Sequence, residues 1–436
     1  MLHDDLEKLD RYPFHMPGHK RNSEFGISGS EIDITEIDGF DNLHCAGGSI
    51  LEIENTLSQL YRSRRSFMLV NGSTVGILAA IFAVTERGDE IIIARNCHKS
   101  VYNACYLREL DVTYIEPEFD CENGYYTEIK QNTIDEAIKA RPNAKAVVIT
   151  SPTYEGNASN VSTDIPLIID AAHGAHFGFG NFPSYPKGDI IISSLHKTLP
   201  SLTQTAVLNV YNDNYIDEVK KYLDIFETSS PSYVLMNSVS KCVEFLLNSD
   251  DAFAEYERNL AKFYETKLNN LRFKIGDDKG KIVVSAASCN ISGAELADIL
   301  RKEFAIECEM ASLNYVILMT SVADKAEAFD MLSDALKAID GRVSPCAAQA
   351  ITKPSIPQSF CKISEVKNTV KTPLHEANGK ISGEFVYAYP PDIPMIVPGE
   401  LISSDIINSI NEMIKKKINI ISDGNLLPHY ILTKAD

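Results

Sequence analysis

The sequence predicts an α/β fold: a mainly parallel sheet flanked by helices, with a smaller C-terminal α/β domain. Three observations carry this. Short, continuous apolar runs such as EIIIAR, AVVIT, LIID and DIIISS recur between Glu90 and Ser194, and unbroken apolar runs suit strands buried on both faces. Helical or turn segments separate them, and strands alternating with helices imply parallel pairing with helices on both sides of the sheet. Beyond Ala252 a second alternation begins, the texture of a separate, smaller unit.

Taken in order, the first 51 residues lack clear periodicity and carry the turn signals MPGH and DGFDN, so they read as an irregular arm. From Ser66 the β-prone SFMLV meets NGST and then the apolar helical pattern VGILAAIFAVTERG, giving strand, tight turn and helix. EIIIAR, VTYIEP, AVVIT, LIID, DIIISS and TAVLNV follow as strands. In an open parallel sheet the active groups gather at the C-terminal ends of the strands. A long helix near Ala252 leads to KIVVSAA, GAELADILRKEF, AIECEM, NYVILMT and DKAEAFDMLSDALKAI. Gly341 to Pro357 is the linker candidate, because proline and small residues break both periodicities. The chain thus divides into an arm (1–51), a large domain (52–251), a small α/β domain (252–340), a linker (341–363) and a C-terminal segment (364–436).

The 436 residues carry 41 Lys+Arg against 60 Asp+Glu, a formal net charge of −19, with 44% hydrophobic and 23% charged residues. That apolar share is ordinary for a globular chain and too high for a disordered one. The acidic balance argues against a nucleic-acid backbone or an anionic membrane as partner, since either calls for clustered Lys and Arg. Small cationic ligands are favoured. No stretch approaches the ~18 consecutive apolar residues of a membrane-spanning helix, and the start MLHDDLEKLDRYPF lacks the apolar centre of a signal peptide. The expected location is the cytoplasm. Nine scattered cysteines without a CxxC pair argue against a disulfide framework and a cysteine zinc site. His173-x-x-His176 is too sparse for a metal site, so none is expected.

The chemistry concentrates at strand ends. LIID ends on Asp170, and the turn AAHGAH follows with His173 and His176; DIIISSLHKT ends with Ser194, His196 and Lys197. Burying an unpaired charge is costly, so a carboxylate and a lysine placed there each need a partner. Pyridoxal phosphate supplies both: its pyridinium nitrogen needs an anion, a role for Asp170, and its aldehyde needs a lysine for a Schiff base, a role for Lys197. The phosphate needs a cradle, and Asn71-Gly72-Ser73-Thr74 stands at a helix start, where free N–H groups and the macrodipole favour an anion. Gly72 permits tight approach, Ser73 and Thr74 add hydroxyls, and Ser194 and His196 close the other side. The pattern lacks the GK[ST] ending of a nucleotide-binding P-loop. His98, just after EIIIAR, offers a flat imidazole for stacking on the cofactor ring. Each feature alone has a plainer reading: Asp170 as a cap or turn former, the Gly-Ser-Thr as a helix cap, the histidines as satisfied core residues, Lys197 as a solvated lysine. Their order along the chain favours the cofactor.

The chain resembles the bacterial Orn/Lys/Arg decarboxylase family, pyridoxal-phosphate enzymes of the aspartate-aminotransferase fold (fold type I) that act on basic amino acids. The resemblance runs through FHMPGHK (Phe14 to Lys20), DITEIDGFDNLH (Asp33 to His44), NGSTVG (Asn71 to Gly76), RNCHKS (Arg95 to Ser100) and SPTYEG (Ser151 to Gly156). It continues through DAAHGAHFGF (Asp170 to Phe179), SSLHKTLPSLTQTAVL (Ser193 to Leu208), ETSSPSYVLM (Glu227 to Met236) and YPPDIPMIVPGE (Tyr389 to Glu400), nearly end to end. It implies Lys197 as the Schiff-base lysine, Asp170 on the ring nitrogen and His98 stacked on the ring. Ala172 and His173 would lie against the cofactor or its ring oxygen, with Ser73, Thr74, Ser194 and His196 around the phosphate. The family's site is completed across a dimer interface, which implies a homodimer or higher homo-oligomer, with Thr228, Ser229 and Ser230 reaching the neighbouring subunit's phosphate.

The reaction so implied is decarboxylation of lysine, ornithine or arginine to the amine and carbon dioxide, with Lys197 and His196 as candidates for returning a proton to Cα. The substrate's distal cation needs an acidic partner, for which Asp41 and Glu400, in the Gly-Phe-Asp-Asn and Pro-Gly-Glu blocks, are the candidates. One departure stands out: the family's usual Asp-Glu-Ala-His is Asp170-Ala171-Ala172-His173 here. Two other classes stay open: an aminotransferase or lyase of the same fold, which would share Asp170 and Lys197, and a non-catalytic regulatory homologue.

Overall fold

The computed structural model describes residues 2–9, 11–347, 351, 353–388 and 392–435. Helices α1 (Leu2–Glu7) and α2 (Ser49–Tyr61) precede an alternating stretch: β1 (Arg65–Leu69), α3 (Gly72–Val84), β2 (Glu90–Ala94), α4 (Lys99–Arg108) and β3 (Asp111–Ile115). The short strands β4 (Phe119–Asp120) and β5 (Tyr125–Tyr126), helix α5 (Gln131–Ala140), and strands β6 (Val147–Thr150), β7 (Leu167–Asp170) and β8 (Ile190–Ser193) come next. Then follow α6 (Leu195–Thr198), β9 (Ala206–Val210), α7 (Ile216–Phe226), α8 (Tyr233–Leu246) and α9 (Asp250–Tyr264). The chain forms two compact units, one built from residues up to Val84 together with Pro166–Glu255, the other from Thr85–Ile165 together with Tyr256 onward.

In the first unit the strands run in the order β1, β9, β8, β7. β7 and β8 are parallel, with Asp170 level with Ile192, whereas β9 is antiparallel to both β8 and β1. Ile168, Ile169, Ile190, Ile191, Ile192 and Leu208 are all fully or almost fully buried, which is why these strands read as unbroken apolar runs. Helix α3 lies directly on them: a Cβ added at Gly76 would stand 2.8 Å from Leu69 Cδ1 and 3.0 Å from Ile192 Cγ2. Its far side packs on α7 through Phe82, whose ring centroid is 5.0 Å from that of Phe226. The turn that starts α3 needs glycine because Gly72 has φ +76°, the left-handed region that other residues enter at a cost. Among the described residues, the arm before α2 carries, besides α1, only short helical turns capped by Asn22 and Asn42.

In the second unit β6, β2 and β3 are parallel neighbours, Ile92 pairing with Val147 and Glu90 with Asp111. Its later part is an antiparallel sheet of β10 (Arg272–Lys274), β11 (Lys281–Ser285), β13 (Tyr315–Met319) and β12 (Met310–Ala311), in that order, with α10 (Gly293–Phe304) and α11 (Ala326–Asp340). The apolar run AIECEM yields a strand only at its end, β12. The C-terminal segment has its own core, in which Val386, Ile396, Ile402, Ile406, Ile410 and Ile431 pack together. The described part of the Gly341–Pro357 linker holds one isolated bridge, Pro345 with Cys289, and no regular element. Residues 348–350 and 352 of that linker, and 389–391 of the YPPDIPMIVPGE block, lie outside the described residues. Among the described residues no helix is long and apolar enough to cross a membrane.

Within this unit the SPTYEG turn carries Glu155, buried, with its Oε1 accepting a hydrogen bond from the Tyr315 hydroxyl at 2.9 Å. Burial pushes the Glu155 carboxyl up to about 7, against the opposing pull of the Tyr315 donor. A carboxyl raised above its unfolded value favours folding when protonated, so its contribution is complete below about pH 4.5 and is lost as pH rises to about 7. The expected size is about 3 kcal/mol over that window. Denaturant unfolding from pH 4.5 to 8 should show this decline in wild type and a flatter profile in Glu155→Gln; identical profiles would refute it.

Candidate active site

Two adjacent parallel strands end on one edge, and their last residues bring the reactive groups together. Asp170 closes β7, is buried, and its Oδ1 accepts the Ala172 N–H at 3.1 Å, the Asx turn that starts DAAHGAH. Gly174 N–H to the Ala171 carbonyl at 2.8 Å tightens the same turn. It delivers His173, buried, to Lys197: Nζ of Lys197 donates to Nε2 of His173 at 2.9 Å. Ala172 is buried beside them and Ala171 is completely enclosed.

Lys197 sits on α6, the single helical turn after β8. Ser194 precedes that turn in extended conformation, and its side chain caps nothing. Its Oγ is buried and has no hydrogen-bond partner among the described residues. A buried hydroxyl without a partner is uncommon and calls for a ligand, water or strain to explain it. His196, half-buried, donates from Nδ1 to the Thr205 carbonyl at 2.8 Å, which leaves Nε2 as the acceptor of the neutral ring. Desolvation, helped by the charge of Lys197, lowers the His196 pKa against the raising effect of the Thr205 contact.

The Asn71–Thr74 turn, expected from the sequence to hold an anion, belongs to the same unit. Gly72 donates its N–H to the Gln204 carbonyl at 2.8 Å, and a Cβ added at Gly72 would meet nothing within 4 Å, so the turn opens on free space. Ser73 is half-buried and Thr74 exposed in the first turn of α3. Thr228 donates its N–H to Asn71 Oδ1 at 3.1 Å. The Thr228–Ser230 segment, expected from the sequence to serve a neighbouring subunit, is therefore anchored to the turn of its own chain, with Ser229 exposed.

Residues 6–251 match the family model described as Orn/Lys/Arg decarboxylase, major domain, and residues 347–417 the one described as Orn/Lys/Arg decarboxylase, C-terminal domain. The chain belongs to the Orn/Lys/Arg decarboxylase family. It is an amino-acid decarboxylase by that membership. The protein YaaO of Bacillus subtilis (strain 168) is 31% identical, covering 96% of this chain and 94% of its own length. The arginine decarboxylase of the same organism is 30% identical over 94% of this chain and 92% of its own. Among solved structures, the Francisella novicida lysine decarboxylase LdcF covers 100% of this chain and 81% of its own, with a TM-score of 0.80 at 17% identity. That likeness shows the shared fold, which is fold type I.

His98, Asp41 and Glu400 are the other candidates of this decarboxylase, each described within its own unit. His98 belongs to the second unit, at the end of β2, where it caps α4: Nδ1 accepts the Ser100 N–H at 3.2 Å and meets the Ser100 hydroxyl at 2.8 Å. Its Nε2 lies 3.6 Å from Asp392 Oδ2. Asp41 is committed to backbone: Oδ1 accepts from Asn42 and Gly47, and Oδ2 from Gly48 and Ile50, at 2.8–3.0 Å. Against the desolvation of its partial burial, those four donors hold the Asp41 carboxyl below its ordinary value. It fastens the start of α2 rather than facing a substrate. Glu400 is buried in a bidentate pair with Arg95, at 2.8 and 3.1 Å, and its Oε2 also accepts the Val397 N–H at 2.8 Å. Both carboxylates expected to meet the substrate's cation therefore hold partners within their own units. Sequence reading missed Arg95 as the partner of Glu400 because the two are 305 residues apart.

The Arg95–Glu400 pair yields a direct check. Removing one partner leaves a buried charge uncompensated, which costs about 3–5 kcal/mol. Arg95→Ala and Glu400→Ala should each lower unfolding free energy by that order, while the double change Arg95→Met with Glu400→Leu recovers most of it. A loss from Glu400→Ala no larger than at a surface carboxylate would return Glu400 to the list of substrate ligands.

Proposed function

We propose that this chain binds pyridoxal phosphate at the edge formed by the ends of β7 and β8 and decarboxylates a basic amino acid to the corresponding amine and carbon dioxide. The observation that carries the reading is the contact of Lys197 Nζ with His173 Nε2 beside the buried Asp170. The residues present fit the cofactor. Asp170 is a buried carboxyl group that accepts the Ala172 N–H on one oxygen and has the other to offer a ring nitrogen, Ser194 Oγ is a buried hydroxyl with no partner among the described residues, and the Gly72 turn opens on space a phosphate can fill.

When bound, the cofactor supplies an electron sink for the pair left on Cα as carbon dioxide departs. Each residue then has a task. Lys197 would hold the cofactor's aldehyde and could carry a proton on Nζ; His173 would aim that nitrogen. Asp170 keeps the ring nitrogen protonated, and Ala172 walls the ring. Gly72, Ser73, Thr74 and Ser194 supply N–H and hydroxyl donors to the phosphate, joined by Thr228 and Ser229. His196, its Nδ1 proton fixed on Thr205, offers Nε2 to take and return a proton. The protein works as a homodimer or larger homo-oligomer in the cytoplasm. A substrate with a distal cation suits the −19 formal charge, and arginine is the first to try, because the arginine decarboxylase relative matches 94% of this chain.

Addition of pyridoxal phosphate to wild type should produce a visible absorption band, erased in Lys197→Ala. Asp170→Asn should keep a band and lose roughly 100- to 1000-fold in turnover, the scale of deleting one preorganised electrostatic contact. Wild type saturated with cofactor and showing no band would end the reading.

Lysine, ornithine, arginine and a neutral amino acid should be offered in parallel, with amine and released carbon dioxide measured. Carbon dioxide from a basic substrate is the expected result. Amino transfer to an oxoacid without carbon dioxide would point to an aminotransferase, and a bound cofactor with no turnover of any substrate would point to a non-catalytic homologue.

A further inference from the structure

Gln204 has φ +88°, a left-handed conformation in a residue that is neither glycine nor asparagine. Such backbone persists only where the surroundings fix it, and it clusters at functional sites. What fixes it here is a two-sided contact with the anion-binding turn. The Gln204 side-chain Nε2 donates to the Val70 carbonyl at 2.7 Å, and the Gln204 carbonyl accepts the Gly72 N–H at 2.8 Å. The two bonds straddle Asn71. The rest of the turn is gripped from the opposite side: Glu227 Oε1 accepts the Val70 N–H at 2.7 Å, and Asn71 Oδ1 accepts the Thr228 N–H at 3.1 Å.

The other end of this connection is the lysine-bearing loop. Thr205, the next residue, gives its carbonyl to His196 Nδ1 and its hydroxyl to Ser201 Oγ at 2.7 Å. Ser201 Oγ meets Ser238 Oγ of α8 at 3.1 Å, and Ser238 Oγ accepts the Leu202 N–H at 3.2 Å. Leu199 N–H to the Leu195 carbonyl at 2.9 Å closes the turn that holds Lys197. The loop from Leu199 to Thr205 is therefore fixed at its base and touches the anion-binding turn at its tip. Gln204 is exposed as a residue, yet its bond to Val70 is half-buried, so little water competes for it.

We propose that Gln204 is a positioning residue that locks the anion-binding turn at Val70–Gly72 to the loop carrying His196 and Lys197, fixing the distance between phosphate site and lysine. The assignment rests on the cofactor reading above. Through its carbonyl Gln204 orients Gly72, and through its side chain it sets the peptide before Asn71, so the first N–H groups of α3 stay aimed at an anion. The plainer role is a staple for stability alone, and the two differ in what they do to phosphate.

The test compares wild type, Gln204→Gly and Gln204→Met for binding of pyridoxal phosphate and of pyridoxal, which lacks the phosphate. Gln204→Gly relieves the left-handed backbone and removes the donor; Gln204→Met keeps length and removes the donor. Both should bind pyridoxal phosphate about 5- to 10-fold more weakly, the effect of one lost hydrogen bond, with pyridoxal changed by less than about 2-fold. Amide hydrogen exchange at Gly72 in the cofactor-free protein should quicken in both. Equal losses for the two ligands, or a lowered unfolding midpoint with the affinity ratio unchanged, would reduce Gln204 to a staple and overturn the proposal. Wild type that binds pyridoxal no less tightly than its phosphate would overturn the cofactor reading instead, and the exchange result would still report whether Gln204 holds the turn.

Discussion

The contact between Lys197 and His173 exists because β7 and β8 run parallel and side by side. Parallel neighbours end at the same edge, so the turn after β7 and the turn after β8 emerge together. The Asx turn at Asp170 sends His173 back over that edge, and the single turn of α6 lifts Lys197 to meet it at 2.9 Å. Reverse either strand and the carboxylate and the amine would lie at opposite ends of the sheet. The apolar side chains of Ile168, Ile169 and Ile190 to Ile192 hold the two strands in that register by burial, and the polar chemistry sits where those runs stop.

Much of this was legible in the sequence for one reason. Strands buried on both faces must be continuously apolar, so LIID and DIIISS mark their own ends, and the first polar residues beyond them are the candidate site. The Gly72 turn was legible because a strand meeting Asn-Gly-Ser-Thr and then an apolar helix leaves few backbone solutions. The contacts of Asp41 and Glu400 were not legible for the converse reason. Each carboxylate answers a partner distant along the chain or a local set of N–H groups, and neither leaves a periodicity to detect. Gln204 lies in a quoted motif, yet nothing in Thr-Gln-Thr announces a left-handed backbone.

The acidic chain places its buried and half-buried carboxylates in different environments, and this separates those held by the fold from the one left with acceptor capacity. Asp41 is satisfied by four backbone donors, Glu400 by a bidentate guanidinium, and Glu155 by a tyrosine hydroxyl with its own proton favoured by burial. Burial likewise pushes the Glu227 carboxyl up to about 7, although it accepts the Val70 N–H. Asp170 accepts the Ala172 N–H on Oδ1. A carboxylate with one oxygen in an Asx turn retains acceptor capacity on the other, which is what a ring nitrogen requires and what the other four have largely given up.

The same reasoning bears on Ala171, where the family usually has glutamate. Ala171 is fully enclosed, and its N–H is bound to the Ile192 carbonyl at 2.8 Å as β7 runs out. A carboxylate at that position would be buried one residue from Asp170, and two anions sharing a site drive one of them to hold a proton. Alanine removes that competition, so Asp170 stays available as the only side-chain anion of the Asp170–His176 turn. The departure therefore leaves intact what the proposed cofactor's ring would require of Asp170. Together with the Lys197–His173 contact, it weighs against a chain that has kept the fold and abandoned the chemistry, since an inert homologue has no need to keep a lysine, a histidine and an isolated buried aspartate at one sheet edge.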